Sequence, residues 1–238
     1  MDNKEVDITY VGHSTYIVET KDGTRLLIDP WLKNNPACPE NLQEPRDIDY
    51  ILITHGHFDH IGDLFPACEL NKEAKIITSI EISTWLNAKG IPNTLPMGIG
   101  GTQPIDNDIK VTMVNAVHAS GIADESSEAM LYGGVANGFV VTFKNGFAIY
   151  FAGDTAVFSD MKLIGDIYSP DLAVLPIGDH FTMGPKEAFY ATKLLGVKNV
   201  IPFHYATFPV LVGTPEEYLE LVKDLGVNVY VMNPGDVL

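Results

Sequence analysis

Short apolar or alternating runs punctuated by Gly, Pro, Asn and Asp recur along the chain, a pattern that predicts many strands with helices between them. Ile8 to Val11, Tyr16 to Glu19 and Arg25 to Ile28, turning at Gly12-His13-Ser14 and Lys21-Asp22-Gly23-Thr24, predict an antiparallel meander. Residues 34–45, rich in Pro and Asn, carry no period and read as a loop. Tyr50 to Ile53 is wholly apolar, the mark of a buried strand. A helix over about 63–70, a strand at 76–78 and a helix over 81–88 stopped by Gly90 follow. Residues 95–105 are broken by Gly and Pro and can hold only short edge pieces. Ile109 to Asn115 alternates as a strand, and residues 120–138 form a loop too long for a plain connector. Phe139 to Phe143 and Phe147 to Phe151 read as a hairpin through Lys144-Asn145-Gly146.

The remainder predicts a helix over 160–168, a buried strand at 172–175, a helix over 186–195 opened by Pro185, and a strand at 199–202. Thr214-Pro215-Glu216-Glu217 is a capping box opening a helix to Leu225, and 227–231 is the last strand. Each half thus begins with a meander and ends with strands alternating with helices. Strands lacking a polar face call for two sheets packed face to face and covered outside by helices.

Composition narrows the class. The chain has 238 residues, 46% hydrophobic and 19% charged, and is expected to fold as one globular domain over 1–238. Its formal net charge of -16 disfavours nucleic acid and anionic membrane as partners. No apolar h-region occurs at the N-terminus and no run is long enough to span a bilayer, so a soluble, cytoplasmic protein is expected. Cys38 and Cys68, the only cysteines, lack metal-ligand spacing and read as reduced thiols.

The chemistry concentrates in Thr54-His55-Gly56-His57-Phe58-Asp59-His60, directly after an apolar strand. His55 and His57 alternate to one side of an extended segment. Asp59 and His60 belong to the following turn and can reach a second ion. His118, Asp154 and His204 also fall just beyond predicted strand ends, where a rigid scaffold fixes each direction of approach.

These residues, together with Gly12-His13-Ser14, Leu27-Ile28-Asp29-Pro30, Gly153-Asp154-Thr155, the stretch Pro176 to Pro185 and Pro202-Phe203-His204, resemble the metallo-β-lactamase fold superfamily. The likeness is greatest to its short metal-dependent hydrolases (UPF0173-like) related to the ascorbate-phosphate lactonases. It implies an α/β, four-layer αβ/βα sandwich. By the resemblance His55, His57 and His118 hold a first metal, Asp59, His60 and His204 hold a second, and Asp154 bridges them, while Asp29 and His13 orient ligands. An all-N/O donor set suits Zn²⁺ or Mn²⁺, with Fe²⁺ the third candidate. Such a pair can lower the pKa of a shared water and present hydroxide to a carbonyl or phosphorus.

The expected function is therefore a dinuclear metal hydrolase of a small molecule, a lactone, carbonyl ester or phosphodiester. An iron-dependent oxygenase or redox protein on the same fold, or a metal binder without catalysis, are the alternatives. Asp59 and His180 are the catalytic candidates, His180 as proton donor or substrate-orienting residue. Residues 120–138 are expected to cover the site, hinged at Gly133-Gly134. Arg25 and Arg46 precede strands away from the expected mouth, so phosphate lacks its usual bidentate partner. Phe203, Tyr205 and Phe208 are expected in the core. A homo-oligomer is left open.

Overall fold

The computed structural model describes residues 6–125 and 127–238, so the reading of the extreme N-terminus lies outside the described residues, as does residue 126 of the long loop. In chain order, β1 (Val6–Gly12), β2 (Thr15–Thr20) and β3 (Arg25–Ile28) form the meander, and β4 (Tyr50–Leu52) is the apolar strand. Helices α1 (Phe58–Ile61) and α2 (Leu64–Leu70), strand β5 (Lys75–Ser79), helix α3 (Ile80–Ala88) and strand β6 (Thr94–Met97) follow. Next come β7 (Thr102–Pro104), β8 (Lys110–Asn115) and the two-residue strands β9 (Gly121–Ile122) and β10 (Leu131–Tyr132). The hairpin is β11 (Asn137–Thr142) and β12 (Ala148–Phe151). The chain ends with α4 (Met161–Tyr168), β13 (Leu172–Pro176), α5 (Pro185–Leu195), β14 (Asn199–Phe203), α6 (Pro215–Val222) and β15 (Asn228–Val229).

Contacts divide these elements between two compact units. The first runs through Gly98 and takes in Ala119–Ala136 and Asn233–Leu238. Its sheet has the order β1-β2-β3-β4-β5-β6, antiparallel to β3 and parallel from there on. One face buries Ile17, Leu27, Ile51 and Ile76 against Leu64 and Ala67 of α2 and Ile82 and Leu86 of α3. The other face, carrying Val18, Leu26, Leu52 and Ile77, is also fully buried, which is why these strands carry no polar alternation.

The second unit comprises Ile99–His118 and Asn137–Met232. Its sheet runs β15-β14-β13-β12-β11-β8-β7, parallel from β15 to β12 and antiparallel from β12 to β7. Val140, Tyr150, Ala173, Leu175 and Val200 pack beneath Ile164 of α4, Ala188 and Ala191 of α5 and Tyr218 of α6. Burial pushes the Tyr218 phenol up to about 12, opposed by its hydrogen bond with Thr192, so it stays neutral. Thr214 accepts from the Glu217 N–H at 3.2 Å, the cap its sequence predicts.

The structure departs from the sequence reading in four places. Asp59 and His60 sit in the four-residue helix α1, not in a turn. The last helix stops at Val222 and passes into a 3₁₀ turn over Lys223–Leu225. The last strand is only two residues, with the Tyr230 N–H bonding the Val200 carbonyl just past it. Residues 120–138 contain the β9–β10 ribbon, and Gly133 and Gly134 are buried, not a free hinge. A Cβ on Gly133 would lie 2.5 Å from the Ser120 carbonyl oxygen, so glycine serves close packing there.

Candidate metal centre

In the first unit the candidate residues lie at one end of the sheet. β3 and β4 run parallel, so Asp29 leaves the end of β3 beside Thr54, just past the end of β4. β2 is antiparallel to β3 and pairs Tyr16 with Ile28, which returns the Gly12-His13-Ser14 turn to that same end. His13, Asp29, His55, Asp59 and His60 are buried there, and His57 is half-buried.

Asp29 organises the cluster. One carboxylate oxygen accepts the Thr54 N–H at 2.8 Å; the other accepts the Thr54 hydroxyl at 2.7 Å and faces His60 Nδ1 at 2.8 Å. With its proton on Nδ1, His60 presents Nε2 as a donor. The Thr54 hydroxyl also faces His55 Nδ1 at 3.0 Å and orients that ring in the same way. His13 Nε2 lies 3.2 Å from Asp59 Oδ2, and Ser14 Oγ donates to the Asp59 carbonyl at 3.0 Å. Expected only to orient a ligand, His13 thus stands in the cluster itself: His13, Asp59 and His60 each offer an atom within 4.8 Å of the others.

The second unit repeats the arrangement. β8, β12, β13 and β14 point the same way, so His118, Asp154, His180 and His204 follow the ends of four strands. His204 Nε2 lies 3.1 Å and His118 Nε2 3.6 Å from Asp154 Oδ2. Thr155 Oγ1 accepts the Val117 N–H at 3.0 Å and Ala156 N–H bonds the Val117 carbonyl at 3.1 Å, so the segments carrying His118 and Asp154 are knitted together. Gly178 packs so tightly under His204 that a Cβ would meet its carbonyl oxygen at 1.9 Å.

His180 is placed differently. It is exposed, its N–H bonds Asp179 Oδ1 at 2.7 Å, and its ring meets Phe181 edge-on at 4.5 Å. Phe203 is core, whereas Tyr205 and Phe208 are only partly buried. Burial, then Glu216, raise the Tyr205 phenol, which stays neutral. Thr54, Ser14 and Thr155 were missed by sequence reasoning; their adjacency to His55, His13 and Asp154 was the available signal.

The donors fit a divalent ion. Ligands about 2.0–2.1 Å from one ion stand about 2.8–3.4 Å apart, as edges of an octahedron or tetrahedron. His55 Nε2 to His57 Nδ1 is 3.0 Å, and with the 3.2 Å and 3.1 Å pairs above it falls inside that range; His118 to Asp154 lies just beyond.

The chain is similar to known proteins along nearly its whole length. A family model described as a beta-lactamase superfamily domain matches residues 24–205. A UPF0173 metal-dependent hydrolase of Rubrobacter xylanophilus is 49% identical, covering 97% of this chain and 95% of that protein, and one of Koribacter versatilis is 48% identical over 99% of both. The solved structure of Igni18, a metallo hydrolase of Ignicoccus hospitalis, is 36% identical with a TM-score of 0.85, over 99% of this chain and 98% of that one. The chain has the metallo-β-lactamase fold, and it belongs to the beta-lactamase superfamily domain family and, within it, to the UPF0173 metal-dependent hydrolases.

Proposed function

We propose that this hydrolase cleaves small carbonyl esters or lactones with a pair of divalent ions, Zn²⁺ or Mn²⁺, with Fe²⁺ the third candidate. The observation that carries the reading is the all-N/O character of the His/Asp clusters, whose donors are spaced as ligands are. His55, His57 and His118 would hold one ion and Asp59, His60 and His204 the other, with Asp154 between them and the 238 residues acting as one catalytic domain. Bound there, such ions supply Lewis acidity and lower the pKa of water, the chemistry of hydrolysis.

The chain's own residues do the rest. Asp29 and Thr54 keep protons on the Nδ1 atoms of His60 and His55, and His13 and Ser14 hold Asp59 from two sides. His180, exposed at the surface just past the end of β13, is the candidate to protonate the departing oxygen.

Substrate charge follows from the arginines. Arg25 pairs with Glu19 at 3.2 Å and bonds the Arg46 carbonyl; Arg46 pairs with Glu44 at 3.7 Å. Neither is available as a phosphate clamp, which favours carbonyl substrates over phosphodiesters. A net charge of -16 supports a small-molecule partner rather than nucleic acid or membrane. No helix among the described residues is long and apolar enough to cross a membrane.

The test is elemental analysis of protein purified without chelators, then a screen of the loaded protein against lactones, p-nitrophenyl esters, phosphodiesters and thioesters with oxygen consumption followed in parallel. About two ions per chain and turnover of esters or lactones are expected. A ceiling of one ion under excess Zn²⁺ or Mn²⁺ removes the pair, and oxygen consumption without hydrolysis removes the reaction.

A further inference from the structure

Beside the His55–His60 segment, within the first unit, lies a cavity of about 410 Å³. Its wall is Phe58, Ile61, Phe65 and Trp85, and Ala123, Asp124 and Glu125 line it as well. Gly56 and Phe58, which flank His57 in sequence, belong to that lining, so the wall begins inside the ligand motif. A volume in this range suits a small ligand or one arm of a larger one.

The wall is apolar and held in place. Phe58 is 57% exposed, unusual for so large an apolar side chain, yet its ring is braced edge-on by Trp31 at 5.8 Å. Phe65 and Trp85 brace each other at 5.4 Å. Trp85 is fixed further through Nε1, which donates to Asp124 Oδ2 at 2.6 Å.

The polar end offers no net positive charge. The Lys89 ammonium bonds both Asp124 carboxylate oxygens, at 2.9 Å and 2.7 Å, and Glu125 adds a negative charge to the lining. An anion entering here would meet a cation already neutralised by a buried carboxylate. An uncharged group loses nothing of that kind and gains the burial of its apolar surface.

We propose that the cavity walled by Phe58, Ile61, Phe65 and Trp85 is a binding subsite for an uncharged, apolar arm of the substrate, an alkyl chain or a single aromatic ring. The assignment rests on the hydrolase reading above for what the arm is attached to. A carbonyl held at the histidine motif is joined by a short tether to a group lying on Phe58.

The experiment uses full-length, metal-loaded protein and two substitutions, Ala123→Phe to fill the cavity from an exposed position and Phe58→Ser to remove its outer wall. Metal content is checked in each. kcat/KM is measured along p-nitrophenyl acetate, butyrate and hexanoate, and binding of unreactive phenylacetamide and of benzoate is followed by tryptophan fluorescence. Wild type should gain about fourfold per added methylene until the cavity is full, and both variants should flatten the series. Phenylacetamide should bind wild type and lose at least tenfold in affinity in Ala123→Phe, and benzoate should bind more weakly than phenylacetamide. A flat series in an active wild type, phenylacetamide binding unaffected by Ala123→Phe, or benzoate binding as well as the amide each overturns the subsite. Phenylacetamide binding lost in Ala123→Phe without turnover of any ester supports the subsite and counts against the hydrolysis of esters.

Discussion

Replacing Asp29 tests the reasoning at its narrowest point. Asp29 is 1% exposed, and its carboxylate faces three donors, the Thr54 N–H, the Thr54 hydroxyl and His60 Nδ1. Asp29→Ala would strand all three in the interior at about 1–3 kcal/mol each, a total near the whole stability of a domain, so that variant is expected to fold poorly. Asp29→Asn is the informative change, because Asn has nearly the same shape and tolerates the left-handed φ of 46° found here. Its single carbonyl oxygen can keep the Thr54 N–H only by turning its NH₂ toward the Thr54 hydroxyl and His60 Nδ1. That ring must then accept at Nδ1 and carry its proton on Nε2, the nitrogen meant for an ion. Loss of such a supporting hydrogen bond lowers metal affinity about 10–100-fold, or about 1.4–2.7 kcal/mol. Competition against a fluorescent chelator should show one ion weakened by that factor and the other, held by His55 and His57, nearly unchanged, with circular dichroism confirming the fold. Wild-type affinity for both ions in folded Asp29→Asn would refute the orienting role.

Gly178→Ala should abolish the assembled second-unit cluster or the fold, since a Cβ there meets the His204 carbonyl oxygen at 1.9 Å; soluble Gly178→Ala with full metal content would contradict the packing. Asp154→Ala should cost more metal and activity than Asp59→Ala, because Asp154 faces both His118 and His204; equal losses would argue against a bridge. His180→Gln should leave metal content intact and lower kcat, least for leaving groups that need no proton; loss of one metal equivalent would make it a ligand instead. Burial pushes both thiols up to about 11, aided at Cys38 by Asp63, so below that pH they remain protonated; iodoacetamide at pH 8 should label neither in folded protein and both in denaturant.

Much of this was legible because strands such as Tyr50–Leu52 and Leu172–Pro176 are buried on both faces and are written as unbroken apolar runs between turn residues. The candidate donors were legible too, since each follows the carboxyl end of such a run. What lay hidden depends on strand order. His13 meets Asp59 although 46 residues separate them, and only the β1-β2-β3-β4 order and the Tyr16–Ile28 register bring the two turns together. Helix α1 was missed because its four residues are too few to show a period, and β9 and β10 because two residues cannot alternate. Thr54 stands next to His55, but its link to Asp29, 25 residues away, depends on the parallel β3–β4 pairing and is not written locally.

Backbone conformation carries the same logic one step further. Of ten non-glycine residues with positive φ among the described residues, six follow the site-bearing strand ends: His13, Asp29, Asp179, His180, His204 and Ala206. The other four are Asp47, Asn107, Asp108 and Ser169, mostly residues that tolerate this region. At about 1–2 kcal/mol each, six such residues cost as much as a domain's net stability, so they persist only where neighbours over-determine them. Asp29 is held in this way: its N–H bonds the Leu52 carbonyl at 3.0 Å, and its own carbonyl accepts Thr15 Oγ1 at 2.6 Å and the Trp31 N–H at 2.9 Å. A strand that simply continued would alternate its side chains between the two faces of the sheet. A left-handed residue just past the last ladder pair turns the chain and aims the donor across the strand end. At His13, Asp29 and His204 the folded backbone thus sets the direction in which the side chain leaves the strand end.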